Sequence, residues 1–223
     1  MKIIAHISTD FPTKFGLPRQ SGMADDIKGV IVFEPEYRIK EAFRGLEDFS
    51  HIWVLWQFSE AVRDSWSPTV RPPLLGGNKR MGVFSTRSPF RPNNIGLSCV
   101  KLNKIDYNHK NGPLLYVSGC DMMDSTPIYD IKPYLPYTDC RTDATGGFTD
   151  TLKERRIEVE CDEELLSTIP EEKREELISS LSMDPRPSYQ NNENREYGLN
   201  FSEFDVGFKV KNNTLTVTRI IKK

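Results

Sequence analysis

The sequence predicts a mainly β protein, with an antiparallel β-barrel in an N-terminal domain and a small α+β domain at the C-terminus. Short runs rich in β-branched and aromatic residues recur along the first 120 residues and have the length of strands. Asn111-Gly112 separates two of these runs and is typical of a tight hairpin turn. Several short strands joined by hairpins favour a closed or nearly closed antiparallel barrel.

The strands of the N-terminal part are predicted from runs of alternating or continuous apolar residues. These runs are KIIAHIS near the start, GVIVFE at 29–34, HIWVLWQF at 51–58, RMGVFST at 80–86, LSCVKLNKIDY at 97–107 and PLLYVSGCD at 113–121. One amphipathic helix is predicted within 35–49, where Ile39, Phe43 and Leu46 recur at helical spacing after Pro35.

The character of the chain changes after about residue 140. We expect a barrel domain over 1–140, a linker over 141–152 and a second domain over 153–223. In the second domain RRIEVEC at 155–161 predicts a strand, and 162–182 predicts acidic helical segments interrupted at Pro170. The alternation in FDVGFKV and LTVTRII predicts a terminal hairpin with one buried face.

Composition excludes several classes of protein. The 223 residues hold 30 Lys and Arg against 32 Asp and Glu, and no apolar run approaches the roughly 20 residues of a membrane span. The MKIIAHISTDFP start is too soon interrupted by polar residues for a secretory signal, so we expect a cytoplasmic protein. Four scattered cysteines and three histidines predict no metal site, and GxGxxG, GxxxxGK[ST] and GxSxG motifs are absent.

The distribution of charge is more informative than its sum. Between Asp64 and Asp106 there is no acidic residue, whereas the same stretch contains seven basic ones: Arg71, Lys79, Arg80, Arg87, Arg91, Lys101 and Lys104. Such a basic stretch on an otherwise acidic chain is typical of a site for a polyanion. A solvated surface with no partner is the alternative reading.

Two proline-rich segments follow predicted strands and are interpreted as rigid loops. TRSPFRPNNIGLS at 86–98 presents Arg87 and Arg91, and DMMDSTPIYDIKPYLPYTD at 121–139 carries several carboxylates. A cationic and an acidic loop together suit a zwitterionic ligand. The alternatives are surface ion pairs or carbonyl contacts for the arginines and an Asx turn at Asp124. Trp53 and Trp56 are expected in the core or an interface.

The ordered motifs resemble one family over nearly the whole chain. They are GLPRQSG, FRGLEDFSHIWVLWQF, RPPLLGG, MGVFSTRSPFRPNNIGLS, DMMDSTPIYDIKPYLPY and DPRPSYQ. The chain is similar to the TsaA-like family, the tRNA (adenosine-37 N6) methyltransferases. The resemblance implies an antiparallel barrel with a small α+β domain, S-adenosylmethionine bound without a Rossmann fold, and a homodimer. It also implies methylation of N6 of threonylcarbamoyl-adenosine beside the tRNA anticodon.

The resemblance further implies contacts to the cofactor. They fall on Pro18, Arg19, Gln20, His51, Ile52, Arg87, Leu97, Asp124, Ser125, Thr126 and Pro127. Two positions depart from the family pattern, because Ser125 replaces a usual glycine and Asn94 a common proline. Serine is a strained choice if that turn needs positive φ.

Roles in catalysis and RNA binding follow as hypotheses. Asp130 is the predicted acceptor of the N6 proton, with Lys132 and Tyr134 orienting the substrate, and Asp121 and Asp124 are the other candidate carboxylates. The phosphates of the anticodon stem-loop are assigned to Arg71, Lys79, Arg80 and Arg91. A non-catalytic RNA-binding barrel and an S-adenosylmethionine-dependent enzyme for a small molecule are the alternative functions.

Overall fold

A computed structural model describes residues 1–150, 156–186 and 192–223. Its N-terminal part is a closed antiparallel barrel of six strands in the order β1-β2-β7-β6-β3-β8. The strands are β1 (Ala5–Ser8), β2 (Lys28–Phe33), β3 (His51–Gln57), β6 (Ile95–Asp106), β7 (Leu114–Ser118) and β8 (Thr126–Pro133). A separate two-stranded ribbon pairs β4 (Thr69–Val70) with β5 (Met81–Gly82). The predicted fold class is therefore confirmed.

Alternation along the strands fills the barrel. In β3 the side chains of Ile52, Val54 and Trp56 are buried, whereas their neighbours His51 and Trp53 face outwards and are half-buried. The remaining five barrel strands also contribute apolar side chains to the interior, among them Ile7, Ile31, Val100, Leu115 and Ile128. Trp56 is thus a core residue, as expected from its place in the strand.

The prediction of a helix within 35–49 is wrong. The segment forms three 3-10 turns instead, at Pro35–Tyr37, Lys40–Phe43 and Leu46–Asp48. Gly45 adopts a φ of 84°, which a continuous right-handed helix does not allow. Ile39 is 58% exposed, and among the residues of the three turns only Phe43 is buried.

Two assignments around the proline-rich segments also need correction. RMGVFST is not a barrel strand, because only Met81–Gly82 is extended and Val83–Ser85 forms a 3-10 turn. The 121–139 segment is not mainly a loop, because Thr126–Pro133 is the strand that closes the barrel between β1 and β3. Proline is tolerated there at strand positions that do not need the missing N–H group.

The C-terminal part, residues 156–186 and 192–223, is an α+β unit. Its sheet has the order β10-β11-β12-β9, formed by β10 (Tyr197–Phe201), β11 (Phe204–Lys211), β12 (Thr214–Lys222) and β9 (Glu158–Glu160). Pro170 separates α2 (Glu163–Ser167) from α3 (Glu171–Ser182), as predicted. Before this unit, the single helical turn α1 (Pro136–Asp139) follows β8 of the barrel. β10 was not predicted. None of the helices in the described ranges is long and apolar enough to cross a membrane.

The domain boundaries remain a prediction, and parts of them lie outside the described residues. Of the predicted linker, residues 141–150 form exposed turns, and 151–152 are not described. The first three residues of the predicted second domain and the last four of the DPRPSYQ motif also fall outside the described ranges.

The connection between β1 and β2, residues 9–27, joins the barrel to the C-terminal unit. Phe11 packs edge-on against Phe201 with ring centroids 5.4 Å apart. Ser180 donates a hydrogen bond of 2.6 Å to the carbonyl of Gly16, whose Cα lies so close to Leu199 that a Cβ would collide. Barrel and C-terminal unit therefore share one continuous core.

A buried carboxyl lies in this junction. Glu176 of α3 is 2% exposed, and its Oε1 accepts the backbone N–H of Lys28 at 3.3 Å. The nearby ion pair of Lys173 with Asp10 measures 2.6 Å. Burial, reinforced by the charge of Asp10, raises the pKa of Glu176 to about 7, although Lys28 and Lys173 oppose the shift.

Replacing Glu176 with Gln should remove a pH-dependent loss of stability. Because the folded state binds this proton more tightly than the unfolded chain, stability falls as pH rises from the ordinary pKa of 4.5 to about 7 and then levels off. The unfolding free energy of Glu176→Gln minus that of wild type should therefore be about 1 to 3 kcal/mol larger at about pH 8 than at about pH 5. Urea unfolding at both pH values measures this.

The exposed Glu175→Gln on the same helix is the matched control and should follow the wild-type profile. A difference between Glu176→Gln and wild type that stays constant across this pH range would contradict the assignment.

Candidate functional site

Three connections meet at one end of the barrel. β1, β3 and β7 end there, and β2, β6 and β8 begin there, because neighbouring strands run antiparallel. The connections are residues 9–27, 58–94 and 119–125. They contain most of the residues predicted to contact a cofactor.

A polar cluster links all three connections to β6. The Arg87 guanidinium donates to the side-chain oxygen of Gln20. Ser21 Oγ accepts the backbone N–H of Cys99 at 3.1 Å, and the Gly22 N–H donates to the Gly119 carbonyl at 3.0 Å. The arginine-bearing loop and the loop containing Pro18, Arg19 and Gln20 are thus held together.

Asp121 is the carboxylate of this cluster. It accepts a 2.5 Å hydrogen bond from Ser98, whose hydroxyl in turn accepts the indole N–H of Trp56 at 2.9 Å. Burial raises the pKa of Asp121 to about 6, against the opposing effects of the Ser98 hydrogen bond and the Arg87 charge. Asp121 can therefore exchange a proton near neutral pH.

The turn at Asp124 begins β8 at the same end of the barrel. Asp124 Oδ1 accepts the Thr9 N–H at 3.0 Å, and Oδ2 accepts the Ser125 hydroxyl at 3.0 Å. Ser125 has a φ of 61°, so this turn does need the left-handed conformation that glycine adopts most easily. Thr126 is buried, and Pro127 pairs with His6 across the β1–β8 ladder. The alternative of an Asx turn at Asp124 is wrong, because the Thr126 N–H donates to the Met123 carbonyl and not to the Asp124 carboxylate.

His51 lies at the opposite end of β3 from this cluster. Its carbonyl accepts the N–H of Tyr134 at 3.0 Å, and the two rings are 6.3 Å apart. Ile52 is fully buried, so its side chain faces the barrel interior rather than a ligand. The predicted cofactor residues therefore separate into two groups, one at each end of β3.

Tyr134 belongs to a second cluster with Trp53 and Asp139. The ring of Trp53 lies 5.7 Å from that of Tyr134, and its N–H donates to Asp139 at 2.9 Å. The backbone N–H of Leu135, followed by Trp53, lowers the pKa of Asp139. Burial and neighbouring cysteines, Cys140 first, raise the pKa of Tyr134. The Tyr134 hydroxyl therefore keeps its proton at neutral pH and can donate a hydrogen bond.

Asp130 and Lys132 lie on the outer face of β8. Their side chains form an ion pair of 2.9 Å, and Asp130 also accepts the N–H of Ile131 at 3.0 Å. Asp130 lines an open groove of about 530 Å³ together with Glu36, Tyr37, Leu55 and Tyr129, among others. The structure does not bring these two residues into the Arg87 cluster.

The predicted RNA-binding residues have different surroundings. Arg91 donates to the Thr86 carbonyl at 2.7 Å and therefore stabilises its own loop. This contact is the alternative role that the sequence left open for the arginines of this segment. Arg80 donates to Thr69 Oγ1 at 3.2 Å. Arg71 and Lys79 are exposed, and no carboxylate in the described ranges forms an ion pair with either. Asn94, at a position where proline is common in the family, donates to the carbonyls of Ala61 and Pro89. These two hydrogen bonds restrain the backbone of the loop.

Sequence reasoning missed Ser21 and Ser98 and did not connect Asp121 with Arg87. These residues are far apart along the chain and meet where the β1–β2 connection lies along the edge of β6 that β7 leaves unpaired before Lys101. The one available signal was the position of Ser21 within GLPRQSG.

Fold and site together define an antiparallel barrel that is not a Rossmann protein, with an arginine and carboxylates collected at one barrel end. Within the described parts of the chain, no group of three or more His, Cys, Asp or Glu residues could hold a metal ion.

The chain belongs to the tRNA-methyltransferase O family. The model of that family's N-terminal domain matches residues 6–140, and the model of its C-terminal domain matches 154–223. A tRNA (adenine(37)-N6)-methyltransferase from Escherichia coli is 38% identical over 218 residues, covering 93% of this chain and 91% of that protein. One from Eikenella corrodens is 43% identical over 164 residues, covering 73% and 92%. A crystal structure of TrmO from Pseudomonas aeruginosa superposes with a TM-score of 0.78 at 31% identity, covering 98% and 97%.

Replacing Ser125 with Gly should stabilise the protein relative to Ser125→Ala. Both variants lose the hydroxyl bond to Asp124, but only glycine relieves the positive φ. We expect a difference of about 0.5 to 1 kcal/mol in the unfolding free energy, measured by urea denaturation. Equal stability of the two variants would show that the turn changes conformation when the side chain is shortened.

Proposed function

We propose that this protein is an S-adenosylmethionine-dependent methyltransferase that methylates N6 of adenosine-37 in tRNA. The observation that carries the proposal is the match of both family domains along the chain, together with a relative of that function aligned over 91% of its own length. The finer proposal is that the substrate base is threonylcarbamoyl-adenosine and that a cytoplasmic homodimer binds the anticodon stem-loop.

The residues at the loop-bearing barrel end fit S-adenosylmethionine by their chemistry. Its methionine carboxylate suits a guanidinium such as that of Arg87 or the exposed Arg19, and its ribose hydroxyls suit acceptors such as Gln20 and Asp124. Leu97, 54% exposed on β6, offers an apolar surface for adenine. The group supplies an electrophilic methyl on a sulfonium.

Transfer to N6 of adenine needs alignment and an acceptor for the N6 proton, because the exocyclic nitrogen is a weak nucleophile. Asp130 is the proposed acceptor, since its carboxylate is 45% exposed, lines an open groove and pairs with Lys132. Tyr134 and Lys132 would position the base and its substituent. Asp121, with a pKa near 6, is the competing acceptor within the Arg87 cluster.

Methyl transfer can be tested directly with labelled S-adenosylmethionine. Wild-type protein should label tRNA that carries threonylcarbamoyl-adenosine and should not label tRNA that lacks this modification. Cofactor binding without label in any tRNA would favour a non-catalytic RNA-binding barrel or an enzyme for a small molecule.

Asp130→Ala should lower kcat by at least about tenfold and leave the Kd for S-adenosylmethionine unchanged. Glu36→Ala is the matched control, because Glu36 lines the same groove and has no proposed role. Wild-type turnover in Asp130→Ala, with a tenfold loss in Asp121→Asn, would move the acceptor to the Arg87 cluster.

A further inference from the structure

Two large aromatic side chains are exposed beside each other in the connection between β3 and β6. Trp66 is 50% exposed and Phe84 is 72% exposed, and their ring centroids are 6.0 Å apart. Large aromatic side chains are usually mostly buried, and an exposed adjacent pair is typical of a binding surface.

The β4–β5 ribbon holds this pair in place. Trp66 precedes β4 and Phe84 follows β5, so the antiparallel pairing brings them to the same end of the ribbon. Val83, 1% exposed, anchors the ribbon to the protein, and its N–H donates to the Pro68 carbonyl at 2.9 Å. The aromatic pair is therefore supported by backbone structure.

A small pocket adjoins Trp66. It has a volume of about 170 Å³, and its lining includes Arg63, Asp64, Trp66, Phe90 and Arg91. The Arg63 guanidinium lies 3.8 Å from the centroid of the Phe90 ring. Flat aromatic surfaces, a stacked guanidinium and a carboxylate acceptor at one place are the chemistry that recognises an unpaired nucleobase.

The charge around the aromatic pair favours a polyanionic ligand. No acidic residue occurs between Asp64 and Asp106, and the exposed Arg71, Lys79 and Arg80 belong to the same connection. A second copy related by a two-fold axis through this surface would bring like charges together, which costs free energy. A nucleic acid strand neutralises them and offers bases for stacking.

We propose that Trp66 and Phe84, with the adjoining pocket, form a stacking site for an unpaired nucleobase of the RNA substrate. The proposal rests on the proposed function for the presence of RNA and assigns a base contact outside the cofactor cluster. The neighbouring basic side chains contact phosphates, and the aromatic pair contacts a base of the anticodon loop that is not the methylated one.

The test compares variants in the binding of an anticodon stem-loop RNA. Trp66→Ala and Phe84→Ala should each weaken the Kd about tenfold without changing the slope of log Kd against log salt concentration. Trp66→Tyr should retain most of the affinity, because it keeps an aromatic face. Lys79→Ala should lower the salt slope by about one, and Ile39→Ala, an exposed apolar change elsewhere, should have no effect.

Circular dichroism and the Kd for S-adenosylmethionine should be unchanged in both alanine variants. Wild-type RNA affinity in Trp66→Ala and Phe84→Ala, with a reduced salt slope in Lys79→Ala, would overturn the stacking site and leave the proposed function intact. Loss of a dimer in sedimentation of Trp66→Ala would instead assign the surface to a second copy. Absence of RNA binding by the wild-type protein would refute the proposed function and the stacking site together.

Discussion

The β1–β2 connection is held from two sides, and the arrangement of the candidate site depends on this constraint. On one side Phe11 and Gly16 pack against Phe201 and Leu199 of the C-terminal sheet. On the other side Ser21 bonds to Cys99 of β6, on the edge of that strand that β7 leaves unpaired before Lys101. Because packing on both sides is close, the loop has little freedom to move. The C-terminal unit therefore supports the geometry of the site without contributing to the Arg87 cluster.

Two different groups of side chains lie at this end of the barrel. Residues near the strand ends, with Arg87 and Asp121 at their centre, form a compact polar cluster suited to a small zwitterionic ligand. The longer β3–β6 connection extends away from that cluster and carries the exposed basic and aromatic residues. A single connection thus spans both regions, because it contains Arg87 near its end and Trp66 near its start. Under the proposed function, a cofactor region would lie beside an RNA-binding region on the same connection.

Local pattern predicted the strands well, because alternation such as that of β3 and β11 is a property of neighbouring residues. It failed over 35–49, where apolar spacing suggested a helix but Gly45 breaks the segment into 3-10 turns. It also failed at β8, since the prolines of that strand are typical of loops and only barrel closure explains the extended backbone. Of the site, the motif-bearing residues Gln20, Arg87 and Asp124 were predictable from resemblance. The contacts of Ser21 and Asp121 were not, because they depend on chain segments that meet only in three dimensions.

We propose that the loops at one barrel end, supported by the C-terminal unit, bind S-adenosylmethionine. Amide hydrogen exchange with and without S-adenosylmethionine can test this proposal, since binding slows exchange where local opening is suppressed. Exchange should slow together in residues 16–22, 86–91 and 119–125. Protection confined to the outer face of β8 around Asp130, with no change in those three segments, would contradict it.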